Sequence, residues 1–178
     1  MTAHAVPAGR SNSRRAFLAL PVALALAGCG FKLRQPPRFR FKTIRLAAPS
    51  TALIQQISRE LTATHQVQVV SNPAQAEVTL ISTGEKRENS TLSLSSSGQV
   101  LEYELRLRFP FRVTGPDGRD LVPQTEILRR MNQSYNDTAA LSKGTEGEMF
   151  YQTMQDDIVQ QVMRRLAMLN PGAPVPPQ

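Results

Sequence analysis

Residues 101–113 read LEYELRLRFPFRV, and this stretch decides the fold. Leu101, Tyr103, Leu105, Leu107, Phe109, Phe111 and Val113 alternate with Glu102, Glu104, Arg106, Arg108, Pro110 and Arg112. Successive side chains of a strand point to opposite faces, so a period of two held this long describes a strand with one dry and one wet face. Gly115-Pro116-Asp117-Gly118 turns the chain back, and residues 119–135 supply a partner strand whose parity breaks around Pro123. On the upstream side Ser95-Ser96-Ser97-Gly98 is a hairpin tip, built from residues that hydrogen-bond locally or tolerate positive φ.

Upstream, Val78–Lys86 is expected as one strand, extended by Thr91–Ser95 after a polar interruption. Lys42–Ala47 sets polar residues against Ile44 and Leu46 and predicts a first strand. Pro49 stops it, and Ser50 is expected to cap a helix that carries Leu53, Ile54, Ile57 and Leu61 on one face and ends near His65. The run QVQVV at 66–70 is a short β-branched strand, and Asn72-Pro73 is a turn. After Asn136-Asp137 the period changes: Phe150, Met154, Ile158, Val162 and Leu166 recur every four residues, which predicts an amphipathic helix stopped by Asn170-Pro171-Gly172. The order β-α-β-β-β-β-α predicts an α+β fold, one mostly antiparallel sheet of about four to five strands with two helices packed on one face.

The first 28 residues are of another kind. Arg10, Arg14 and Arg15 precede an apolar stretch from Ala16 to Ala27 with no acid among them, the form of a secretory signal and too short to span a bilayer. Leu26-Ala27-Gly28-Cys29 resembles the lipobox of bacterial lipoproteins, in which the cysteine becomes an acylated N-terminus; Cys29, the single cysteine, is therefore the expected lipid anchor. Gly30 in place of Asp implies, on the same resemblance, sorting to the outer membrane. Ser13-Arg14-Arg15-Ala16-Phe17-Leu18 fits a twin-arginine signal as well as the basic start of a general one, so the export route stays open. The expected organisation is signal peptide 1–28, acylated tether 29–37, a single domain 38–169 and a Pro-rich tail 170–178.

The 178 residues hold 21 Lys+Arg against 14 Asp+Glu, a net +7. Three of those cations leave with the signal, and six more (Lys32, Arg34, Arg38, Arg40, Lys42, Arg45) crowd residues 29–45. From residue 46 onward 12 basic residues face 14 acidic ones, so the expected body is not basic at all. One cysteine and two histidines exclude a disulfide scaffold and a Cys/His metal cage. His65 alone cannot supply a nucleophile–base pair, no G-x-S-x-G or phosphate loop occurs, and Asp156-Asp157 and Glu102/Glu104 sit among opposite charges. The sequence therefore predicts no enzyme, no metal and no cofactor. Arg106, Arg108 and Arg112 share the wet face of the best strand at roughly 6.6 Å intervals, with Arg129-Arg130 expected beside them. Guanidinium forks at that spacing suit phosphates on a larger molecule, and the competing reading is cross-strand pairing with Glu102, Glu104 and Glu126. An outer-membrane location favours an amphiphilic polyanion over nucleic acid.

Taken together, these residues resemble the LptE family of lipopolysaccharide-assembly lipoproteins. The likeness rests on Leu26–Cys29 followed by Gly30-Phe31-Lys32-Leu33-Arg34, on Gly98 to Leu105 as a G-x-x-x-E-Y-x-L segment, and on Tyr135-Asn136 with Ala140-Leu141-Ser142-Lys143 and Glu146. The resemblance implies a non-catalytic partner of the LptD β-barrel translocon, plugging the barrel and helping lipopolysaccharide reach the outer leaflet. It also implies lipopolysaccharide binding through basic residues near a hairpin tip and near the start of the last helix. Lys143 matches the second place. At the first, Ser95-Ser96-Ser97 bring no cation, and Lys86 and Arg87, or Arg106 and Arg108, are the available substitutes. The rival from another class is an envelope lipoprotein acting as an assembly factor or pilot for a different outer-membrane secretion channel, and its protein partners would separate the two.

Overall fold

The computed structural model describes residues 37–135 and 140–171, without the side chains of residues 140–142. The signal segment, Cys29, nearly all of the tether and residues 172–178 of the tail lie outside the described residues. The alternating stretch forms β5 (Val100–Thr114), joined at Gly118 (φ 78°) to β6 (Asp120–Ser134). The two pair antiparallel from Glu102↔Ser134 to Thr114↔Asp120, and the register slips between Phe111 and Val113, close to where Pro123 breaks the parity of β6.

Two strands in line share the other edge of β5. β3 (Val78–Ser82) covers Thr114 to Phe111, and β4 (Lys86–Leu94) covers Arg108 to Val100. The single strand expected over Val78–Lys86 is thus interrupted at residues 83–85. Gly84 sits there at φ 88°, and a Cβ on it would lie 3.0 Å from Pro49 Cγ and 3.2 Å from Thr51 Cγ2. The Thr51 hydroxyl donates to the Glu85 carboxylate, which ties the break to the start of the first helix.

β1 (Thr43–Ala47) runs parallel to β3 on one side and to the two-residue β2 (Gln68–Val69) on the other. Parallel neighbours need a crossover, and α1 (Ala52–Ala63) supplies it between β1 and β2. The α+β layer is therefore a six-stranded mixed sheet, antiparallel around β5 and parallel around β1. The cap of α1 is Thr51 rather than Ser50: Thr51 Oγ1 accepts from Ile54 N, while Ser50 Oγ accepts from Gln55 Nε2 at 3.1 Å. His65, at φ 54°, terminates the helix in a left-handed turn.

The second helix, α2 (Ala140–Ala167), runs through both Gly144 and Gly147. Gly147 leaves room for Gln133 of β6, whose Oε1 would be 3.3 Å from a Cβ at that position. Leu53, Ile54, Ile57 and Leu61 of α1 and Tyr151, Met154, Ile158, Val162 and Leu166 of α2 join Ile44, Val78, Leu80, Leu105, Leu107, Phe109, Phe111 and Val113 in one buried cluster. Both helices thus cover one face of the sheet. The dry face begins only at Leu105: Leu101, of the same parity, is 48% exposed, as are Leu92 (47%) and Leu94 (57%) on β4.

Candidate functional site

The register assigns each charged residue of the three-stranded ladder to a face. Lys86 lies across from Arg108, Glu88 across from Arg106, and Arg106 across from Arg130 on its other side, so these residues share the face away from the helices. Glu102, Glu104 and Glu126 share it too, because they pair with Ser93 and Ser134, with Ser90 and Asn132, and with Pro110. Cross-strand pairing dominates this grid. Arg108 spans three strands, donating to Glu88 at 3.1 Å and Glu126 at 2.8 Å. Its hydrogen bonds to Glu126 and then Glu88 raise its pKa and keep the guanidinium charged. Arg106 folds along its own strand to Glu104, and that hydrogen bond pulls the Glu104 pKa below the ordinary glutamate value.

Arg130 and Lys86 form no ion pair among the described residues, although the charge of Arg130 also favours ionised Glu104. With Arg112, which shares the parity of Arg106 and Arg108 and also forms no ion pair among the described residues, they are the cations of this face with capacity to spare. Arg130 is exposed, as are Lys86 and Arg112. An incoming phosphate could pair with Lys86 and Arg130 directly, and with Arg106 by exchanging one carboxylate for another anion.

Other residues singled out from the sequence fall elsewhere. Arg87 lies across from Leu107 and so turns to the helix side, where it pairs with Glu148 at 3.0 Å and sits 4.7 Å from the centre of the Tyr151 ring. Arg129, expected beside the arginine row, lies across from Leu107 on the same side and reaches Asp157 at 3.5 Å. Parity separates it from Arg130. Lys143 Nζ pairs with Glu146 at 2.6 Å and approaches Ser134 Oγ at 3.3 Å, while its carbonyl accepts from Gln133 Nε2 at 2.6 Å. Hydrogen bonds from Lys143 and Gln133 lower the pKa of Glu146. This cluster locks the first turns of α2 to the end of β6, beside the end of the polar face where Glu102 pairs with Ser134.

The residues weighed for catalysis are structurally occupied or isolated. Asp156 accepts from Gln56 Nε2 at 2.6 Å, bridging the two helices, and Asp157 pairs with Arg129. His65 is an exposed helix terminator. Among the described residues no three His, Cys, Asp or Glu side chains are grouped so that they could hold a metal ion.

A family model described as LptE, lipopolysaccharide-assembly, matches residues 41–166. An LPS-assembly lipoprotein LptE from Yersinia enterocolitica is 30% identical over 153 residues, covering 83% of this chain and 72% of that protein. One of the same description from Pectobacterium atrosepticum is 27% identical over 154 residues, covering 83% and 81%. The solution structure of an uncharacterized lipoprotein B from Nitrosomonas europaea superposes with a TM-score of 0.67 at 33% identity, covering 78% of this chain and 90% of the other.

Proposed function

Because the chain belongs to the LptE family of non-enzymatic lipopolysaccharide-assembly lipoproteins, we propose that it is an outer-membrane lipoprotein that plugs an LptD-like β-barrel and assists lipopolysaccharide insertion into the outer leaflet. The observation that carries this reading is the extent of the family match: residues 41–166 take in all six strands, α1 and α2 up to its last residue. In this account Cys29 carries the acyl chains that hold the protein on the membrane. The barrel receives the folded domain from the periplasmic side.

The two-faced sheet supports the role on physical grounds. The lumen of a wide transmembrane barrel is polar, so a plug needs a polar outer surface and a separately closed dry core. Here the helices take the apolar face of the sheet, and a grid of arginines and glutamates takes the other. Such a grid remains nearly neutral while presenting guanidinium forks to lipid phosphates, with Lys86, Arg106, Arg108 and Arg130 on the face and Lys143 at its edge. Arg87 contributes through packing on Tyr151 rather than through this face.

Depleting the protein should reduce surface lipopolysaccharide. Lys143→Glu combined with Arg106→Glu should weaken lipopolysaccharide capture by the purified protein, more at low salt than at high salt, because exposed charges are screened within about 10 Å at 0.1 M ionic strength. Unchanged capture would reduce these charges to solvation of the surface.

A further inference from the structure

The chain enters the fold through residues 37–42, which precede β1 and alternate between buried or half-buried and exposed positions. Phe41 is 2% exposed, and Phe39 packs beside it with ring centres 5.4 Å apart. The backbone is pinned from the far side of the sheet edge: Gln66 Oε1 accepts from Phe39 N at 3.4 Å, and Gln66 Nε2 donates to the Pro37 carbonyl at 3.4 Å. With the two phenylalanines held inward, Arg38, Arg40 and Lys42 are all turned out, and all three are exposed. None of them forms an ion pair among the described residues. Glu77 Oε2 accepts from the backbone N–H of Lys42 at 2.9 Å, and Glu77 forms no ion pair with these three cations.

This row differs from the arginine face of β5 in a respect that matters for a polyanion, since its own stretch of chain carries no acid. Residues 29–59 contain seven cations and no Asp or Glu. All 14 acids of the chain lie from Glu60 onward. An open hollow of about 550 Å³ beside Lys42 is lined by Thr62, His65, Gln66 and Gln68, which offer hydrogen bonds and no carboxylate.

We propose that Arg38, Arg40 and Lys42 form a phosphate-binding row that seats this end of the domain on an anionic phospholipid surface. The occupant follows from charge and from chain length. Three exposed cations within five residues, none with an ion-pair partner among the described residues, match a plane of phosphates better than one buried anion. Eight residues lie between Cys29 and Arg38, a contour of at most about 30 Å, so an acylated Cys29 keeps the row within reach of head groups. The proposal rests on the reading of Cys29 as the anchor. It adds that the anchor alone does not set how the domain meets the membrane.

The test uses the mature acylated protein and flotation with two kinds of vesicle, phosphatidylcholine alone and phosphatidylcholine with phosphatidylglycerol. Binding to the neutral vesicles reports the acyl chains, and the excess on anionic vesicles reports the row. The expected excess for three cations at the surface is on the order of 100-fold, abolished at high salt. Arg38→Gln, Arg40→Gln and Lys42→Gln together should remove most of that excess while leaving neutral-vesicle binding and the melting temperature as they were. Equal binding to both vesicles, or an excess that the triple variant retains, overturns the proposal. Inorganic phosphate at a concentration that leaves the ionic strength unchanged should not compete; full competition would assign the row to a soluble phosphate ligand and overturn the membrane reading. Should the anchor reading fail instead, the protein carries no acyl mass and loses neutral-vesicle binding, while the excess on anionic vesicles persists.

Discussion

Phe109 and Leu101 occupy the same parity of one strand, yet truncating them should have very different consequences. Phe109 is 0% exposed, lies across from Ile127 and stacks on Phe111 with ring centres 5.5 Å apart. Phe109→Ala removes a whole phenyl ring from the close-packed core between the sheet and the helices, a change that costs roughly 3–5 kcal/mol. Leu101 is 48% exposed. Burying a whole leucine side chain contributes about 2 kcal/mol, so Leu101→Ala should cost about 1 kcal/mol or less, with no cavity left behind. Urea denaturation followed by circular dichroism separates the two. With a slope of about 2 kcal/mol/M, Phe109→Ala should lower the midpoint by about 2 M and Leu101→Ala by about 0.5 M or less. Midpoints that fall equally would mean that the outer end of the ladder is as dry as its centre, and the assignment of the covered part of the sheet would be wrong.

Gly84→Ala should destabilise more than Gly98→Ala: both positions have positive φ, at a cost of roughly 1–2 kcal/mol, but only Gly84 has Pro49 and Thr51 within 3.2 Å of a new Cβ. Thermal denaturation of the two variants checks the order. Tyr151 donates to the Glu88 carbonyl at 2.8 Å, so Tyr151→Phe should cost about 1 kcal/mol. Burial raises the Tyr151 phenol pKa against the opposing pull of Arg87; its contribution is complete below about pH 10 and fades as pH climbs through the raised folded value, so the phenylalanine variant should show a flatter alkaline limb. Glu104 and Glu146 have lowered pKa values, through hydrogen bonds to Arg106 and Lys143 respectively. Their stabilisation is present above the unfolded value of about 4.3 and is lost as pH falls through the folded values. Replacing both with Gln should flatten the acid limb of the melting temperature, and an unchanged slope would count against these pairs.

The parts of the fold that could be read from the chain are those where one face is buried. β5 alternates because the helices cover one side of it, and α2 keeps a four-residue stripe because it lies on the sheet, although the stripe begins at buried Tyr151 with Phe150 only half-buried. β4 leaves no such pattern, since Lys86–Leu94 is exposed along most of its length and carries no alternation. The break at Gly84 depends on contact with Pro49 and Thr51, which local patterning does not encode. The same limit applies to the polar face. The arginine row on β5 is legible from parity, but the partnership of Arg108 with both Glu88 and Glu126 depends on the register of three strands. So does the inward turn of Arg129, an arginine whose residue type alone argues for the wet side. The row from Arg38 to Lys42 shows in the sequence only as basic composition, because the direction of its side chains depends on Gln66 and on the packing of Phe39 and Phe41.

The most direct test of the central claim is a photo-reactive residue placed at position 130, on the polar face, in protein expressed in its native envelope. The expected product is a cross-link to an LptD-like outer-membrane barrel that co-purifies with the chain. Protein recovered from outer membranes with no barrel attached, or cross-links confined to a different secretion channel, would contradict it.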